Sequence, residues 1–126
     1  MSVEVGDVAE LAAVTSTVGK YMAAAKSGTG ADMKKAFYEN ATCYGYVGDK
    51  LAFAGPIQTL CDWHETNGKA QDINALITNI DLVGTIAHVR VEAENWTGFK
   101  FTDMFLLLKL DDRWTIVNKV FHLHPQ

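Results

Sequence analysis

Gly98-Phe99-Lys100-Phe101-Thr102-Asp103-Met104-Phe105-Leu106-Leu107-Leu108-Lys109-Leu110 runs into Asp111-Asp112 and then into Arg113-Trp114-Thr115-Ile116-Val117-Asn118-Lys119-Val120-Phe121-His122-Leu123-His124. Two β-rich runs flank a two-residue polar break, which is the sequence pattern of a hairpin. Pairing Leu110 with Arg113 and continuing without interruption sets Phe101 opposite His122, Asp103 opposite Val120 and Phe105 opposite Asn118. Directly opposed residues share a face of a sheet. One face is then Phe99, Phe101, Asp103, Phe105, Leu107, Trp114, Ile116, Asn118, Val120 and His122. It is apolar, with an acid, an amide and an imidazole at one end, which is how proteins line pockets. The other face carries Lys100, Thr102, Met104, Leu106, Leu108 and Leu110 with Thr115, Val117, Lys119, Phe121 and Leu123. That is too apolar for a wetted surface, so a partner is expected to cover it, the alternative being coverage by the chain's own terminus.

Working back from this hairpin, the period stays at two from Ile73 onward. Ile73 to Val83, Ile86 to Asn95, Phe99 to Leu110 and Arg113 to His124 read as four strands. Upstream the period is helical. Residues 1–6 read as a loose end. Asp7 and Glu10 match a capping box, and Val8, Leu11, Val14, Thr15, Val18, Tyr21, Met22 and Ala25 form a stripe ending at Ser27-Gly28-Thr29-Gly30. A short second helix starts at Asp32, with Met33, Ala36 and Phe37 on one side, and Asn40 follows as a turn. Ala41 to Val47 and Leu51 to Phe53 read as strands about the Gly48-Asp49 turn. Gly55-Pro56 opens a third helix with Ile57, Leu60, Cys61 and His64 inward, and Gly68 closes it. Helices first and a mostly antiparallel sheet after them make one α+β domain over residues 1–126, the strongly curved sheet wrapping the long helix. At Trp96-Thr97-Gly98 an even loop would bury His88, Arg90, Glu92 and Glu94 beside Asp103. That is costly, so an odd loop or a bulge is expected, placing Ala87, Val89, Val91 and Ala93 there.

The 126 residues are 48% hydrophobic and 21% charged, with a formal net charge of −4. This balance argues against a nucleic-acid partner, which needs a basic patch. No run is long enough to span a membrane, and no secretory signal is visible, so the expected location is cytoplasmic. Cys43 and Cys61 are then reduced thiols, and the sequons at Asn40 and Asn95 are chance matches. Gly28, Gly30 and Gly45 lack the spacing of a phosphate or dinucleotide loop, and no cofactor is expected.

Several segments together resemble the nuclear transport factor 2-like superfamily, a cystatin-like α+β cone. They are Met33-Lys34-Lys35-Ala36-Phe37 leading to Asn40-Ala41-Thr42, Gly55-Pro56-Ile57, Phe101-Thr102-Asp103-Met104-Phe105, and Trp114 through His122. The superfamily also hosts ketosteroid isomerases, scytalone dehydratase and polyketide cyclases. Within it the chain is similar, over roughly residues 8–124, to the group of small bacterial proteins described as "putative lumazine-binding". The resemblance implies the cone fold and a homodimer through the outer sheet face. It implies no settled activity. Ketosteroid isomerases carry their catalytic Asp in the region here occupied by Cys43-Tyr44-Gly45-Tyr46, where no carboxylate stands. Tyr21 sits where that family has its oxyanion-binding Tyr.

Asp103 and His122, one diagonal step apart, form the expected acid–base pair, since a carboxylate beside an imidazole fixes its tautomer and raises its basicity. The bland alternative is a structural ion pair closing the cone. His122 and His124 make an HxH without an evident third ligand, and no metal is expected. His64 reads as a core or rim histidine. Cys61, among Ile57 and Leu60, reads as inert. Tyr44, Tyr46, Trp63 and Trp96 are candidates either for the core or for stacking on a planar ligand.

The expected pocket is lined by Tyr21, Phe37, Trp63, Phe101, Phe105, Trp114 and Val120, with Asp103, Asn118 and His122 as its polar end. Three functions are compatible. One is a domain binding a small apolar or planar molecule. A second is a dehydratase, isomerase or cyclase using Asp103, His122 and Tyr21. The third is a dimeric interaction module without a ligand. No motif specifies lumazine or a flavin.

Overall fold

The computed structural model describes residues 5–126. The elements are α1 (Val5–Ser27), α2 (Gly30–Lys34), β1 (Phe37–Val47), β2 (Lys50–Pro56), α3 (Gln58–Asn67), β3 (Asn74–Val83), β4 (Ile86–Trp96), β5 (Phe99–Leu110) and β6 (Arg113–Leu123). The strands form one sheet in the order β2-β1-β6-β5-β4-β3. Every neighbouring pair is antiparallel except β1 with β6, which is parallel.

Helix α1 buries Val14, Val18, Tyr21 and Ala25, spaced three and four apart as one helix face requires. Thr17, not Thr15, completes that face. Its hydroxyl donates to the carbonyls of Ala13 and Trp114, both at 3.1 Å. Asp7 is not the cap the sequence suggested, because the helix already runs from Val5. Of the expected loose end, residues 1–4 lie outside the described residues, and Val5 and Gly6 are helical. Glu10 instead reaches across the molecule. It accepts from Lys109 Nζ at 2.8 Å and from Trp114 Nε1 at 2.7 Å, and these two bonds hold its carboxyl below the ordinary carboxylate range.

Thr29 caps α2. Its Oγ1 accepts from the Asp32 N–H at 3.1 Å while the Asp32 carboxylate accepts from the Thr29 N–H at 2.9 Å, so α2 starts two residues before Asp32. Strand β1 also starts earlier than expected. Phe37 already pairs with Ile116 of β6, and Asn40 lies within the strand rather than in a turn. Helix α3 follows Pro56 and packs Ile57, Leu60, Cys61 and His64 inward. Gly68 ends it at a φ of 85°, a conformation glycine adopts without steric penalty. No helix among the described residues is long and apolar enough to cross a membrane.

Two bulges decide which side chains meet. Between β4 and β5, Ala93 pairs with Phe101 but Trp96 with Phe99, and Asn95 absorbs the extra residue at a φ of 58°. This is the expected solution. Ala87, Val89, Val91 and Ala93 are buried on the face of Asp103, and Arg90 is exposed, bonding to Glu92. The second bulge contradicts the expected hairpin. Leu107 pairs with Ile116, but Leu106 pairs with Asn118. Val117 is therefore extra, and every later residue of β6 changes face.

Candidate functional site

The bulge at Val117 rebuilds the site. Asp103 now pairs with Phe121 and Phe105 with Lys119. Lys119, Phe121 and Leu123 turn inward, while Asn118, Val120 and His122 turn outward. The physical reason lies in the sequence. An uninterrupted ladder would bury the polar Asn118 and His122 and leave Phe121 and Leu123 in water. Slipping one residue buries Phe121 instead, and its ring lies against Gly45 of β1, where a Cβ would collide with it. The cost is Lys119, which becomes 97% buried.

The expected Asp103–His122 pair does not form. His122 is exposed and stacks edge to face with His124, ring centres 4.8 Å apart. Asn118 Nδ2 donates to Thr42 Oγ1 at 2.9 Å on that same outer side, and Val120 is exposed there too. Thr102 is buried, its Oγ1 2.8 Å from both Glu92 Oε2 and His124 Nε2. The hydroxyl gives its one proton to the carboxylate and accepts from the His124 N–H. Tyr44 and Tyr46 are exposed on the same sheet face, so of the four aromatic stacking candidates only Trp63 and Trp96 line the cavity.

Asp103 instead meets Lys119. Nζ lies 3.8 Å from Oδ1, and both side chains are almost wholly buried. Neither carboxylate oxygen has a hydrogen-bond partner among the described residues, and neither do Tyr21 Oη nor Trp96 Nε1. Buried polar atoms are rarely left this way. Nζ also stands over three rings, 5.0 Å from the centres of Tyr21 and Phe121 and 5.8 Å from that of Trp96. An ammonium is attracted to such faces. Burial pushes the Asp103 carboxyl above its ordinary range, with Lys119 opposing and Glu92 adding to the rise. Burial and the Asp103 charge push the Tyr21 hydroxyl well up.

Above this pair lies a cavity of about 250 Å³ walled by Val47, Phe53, Leu60, Trp63, Trp96, Thr97, Phe99, Phe101, Lys119, Phe121 and Leu123. Of the expected lining only Trp63 and Phe101 contribute. Tyr21, Phe37 and Phe105 pack edge to face as solid core, with Tyr21 5.7 Å from Phe37 and 5.2 Å from Phe105. Trp114 is engaged with Glu10, and Val120 is outside. Lys119 is the charged group that the cavity reaches, with Asp103 behind it.

The other candidates are structural. His64 Nε2 donates to the carbonyls of Ala24 at 2.9 Å and Gly28 at 3.2 Å, closing the end of α1 as a buried core histidine. Desolvation raises the Cys43 thiol and pushes that of Cys61 up to about 11, which makes both poor nucleophiles. No group of three or more His, Cys, Asp or Glu able to hold a metal occurs among the described residues.

The family model described as "putative lumazine-binding" matches residues 9–122. The chain belongs to the putative lumazine-binding family. Its fold is that of nuclear transport factor 2-like, cystatin-like proteins. An NTF2-like protein of unknown function from Methylobacillus flagellatus KT is 61% identical, with a TM-score of 0.92 over 98% of this chain and 97% of that one. An NTF2-like protein of unknown function from Shewanella baltica OS155 is 36% identical, with a TM-score of 0.88 over 99% of this chain and 100% of that one. A protein named aldolase FrzH, from a Cladobotryum species, is 31% identical over 118 residues, 93% of this chain and 94% of its own.

Proposed function

We propose that this chain binds a small, mostly apolar carbonyl compound in the cavity and activates it, with the carbonyl oxygen directed at Lys119. The observation that carries this reading is the buried Lys119–Asp103 pair at the end of an aromatic-walled cavity. An apolar wall with a few convergent polar groups is the make-up of a ligand site. At about 250 Å³ the space is slightly below the range of drug-sized pockets, about 300–1,000 Å³, so it suits a ligand of one or two rings. Trp63, Trp96, Phe99 and Phe101 suit a flat one. A cation held in a dry site stabilises negative charge developing on a carbonyl oxygen, which is the charge that forms when an α proton leaves. The likeness to a relative named as an aldolase supports carbonyl chemistry over simple binding.

The test is hydrogen exchange at the carbons flanking a carbonyl. Benzylacetone, a small aromatic ketone, is incubated with the protein in heavy water and its deuterium content followed by NMR. The wild type should accelerate exchange, and Lys119→Met should abolish the acceleration. Exchange no faster than in buffer would defeat the reading.

We further propose a homodimer through the outer sheet face. Tyr44, Met104, Leu106 and Val120 are between 43% and 50% exposed there. The stripe differs from the expected one, since Val120 replaces the inward Phe121. An apolar patch of this kind is a common protein-contact surface, and two-fold dimers are the commonest assembly.

A further inference from the structure

We infer that Lys119 is a covalent nucleophile, condensing with the ligand's carbonyl carbon to form a Schiff base while Asp103 carries the protons. This deepens the carbonyl reading above and rests on it. Three observations point the same way. Lys119 is buried, yet it is part of the cavity wall. Its ion partner at 3.8 Å, Asp103, makes no hydrogen bond with either oxygen, so that carboxylate has free lone pairs for a proton. Aromatic faces rather than polar atoms surround the rest of the amine. A desolvated lysine is the setting in which an amine acts as a nucleophile toward carbonyls.

The steps balance within the pair. A proton passes from the Nζ ammonium to the Asp103 carboxylate, leaving a neutral amine beside a neutral acid. The nitrogen lone pair attacks the carbonyl carbon. The C=O π electrons move to oxygen, and the proton released by nitrogen ends on that oxygen, giving a carbinolamine. Asp103 then returns its proton to the carbinolamine hydroxyl. The C–O bond breaks, water leaves, and the nitrogen lone pair closes the C=N bond. Ammonium plus ketone have become iminium plus water, with Asp103 again ionised. The iminium draws electrons from the neighbouring C–H bonds, the activation that aldol-type bond formation needs.

The test is reductive trapping with benzylacetone and cyanoborohydride, read by intact mass and peptide mapping. The expected result is one adduct per chain, located on Lys119, lost in Lys119→Arg and strongly reduced in Asp103→Asn. Mapping the wild-type protein places the adduct even if a variant folds poorly. Adducts spread evenly over surface lysines, or none at all, would overturn the inference. If the ketone exchanges deuterium in the cavity yet is never trapped, Lys119 acts as a cation only. The carbonyl reading then stands without the covalent step. If there is neither exchange nor trapping, both fall.

Discussion

Replacing Lys119 with Met removes a charge but keeps most of the buried stem. Its cost can be worked in two ways. At 3.8 Å, and with an effective dielectric constant of about 20, the attraction to Asp103 is about 4 kcal/mol. Alternatively, the lone buried carboxyl takes a proton. For a group of ordinary pKa 3.8, protonation at pH 7 costs about 4 kcal/mol. Both values fall within the roughly 3–5 kcal/mol expected for breaking a buried pair. The second route also fixes the pH dependence. Burial raises the folded-state pKa of Asp103, so the folded variant holds a proton that the unfolded chain releases above 3.8. The variant's stability is therefore fully present below that value and is lost as the pH rises. Urea unfolding followed by circular dichroism should show a loss of about 4 kcal/mol at pH 7, shrinking below about 1 kcal/mol at pH 4. The double variant Asp103→Leu with Lys119→Met, which replaces the pair by apolar side chains of similar volume, should lie within about 1 kcal/mol of the wild type at both. A pH-independent loss, or a double variant as unstable as the single, would refute the pairing.

Gly45→Ala places a methyl against the Phe121 ring and pushes that wall into the cavity. Benzylacetone binding, followed by tryptophan fluorescence, should weaken while the circular dichroism spectrum is retained; equal affinity would contradict the assigned wall. Light scattering of the wild type should give about twice 13.8 kDa, and Leu106→Glu should return the monomer mass by placing a charge in an apolar contact. A wild-type monomer at micromolar concentration would reject the dimer.

The order and type of the elements were legible because apolar residues recur with clear helical and strand periods. The β4–β5 bulge was legible for a different reason, since only one register avoided burying His88, Arg90, Glu92 and Glu94. The β5–β6 bulge was missed, and with it the site. Yet the signal is in the sequence. Trp114 and Ile116 are apolar at even positions, Phe121 and Leu123 at odd ones, and a strand with one buried face cannot keep both inward without an extra residue between them. Anchoring the register at the Leu110–Arg113 turn and continuing it without interruption hides this change of phase. Lys119 could not be singled out without the bulge, because a lysine in a strand is usually solvated. The role of Glu10 was hidden similarly. Its partners Lys109 and Trp114 are about a hundred residues away, and local capping chemistry offered a nearer explanation.

The indole N–H resonances report directly on whether the ligand sits in the cavity beside Lys119. Trp63 and Trp96 line the cavity, whereas Trp114 is tied to Glu10 elsewhere and serves as an internal control. Titration with benzylacetone should shift the Trp63 and Trp96 signals saturably and leave Trp114 in place. Three unmoved signals, or movement of Trp114 alone, would contradict the account.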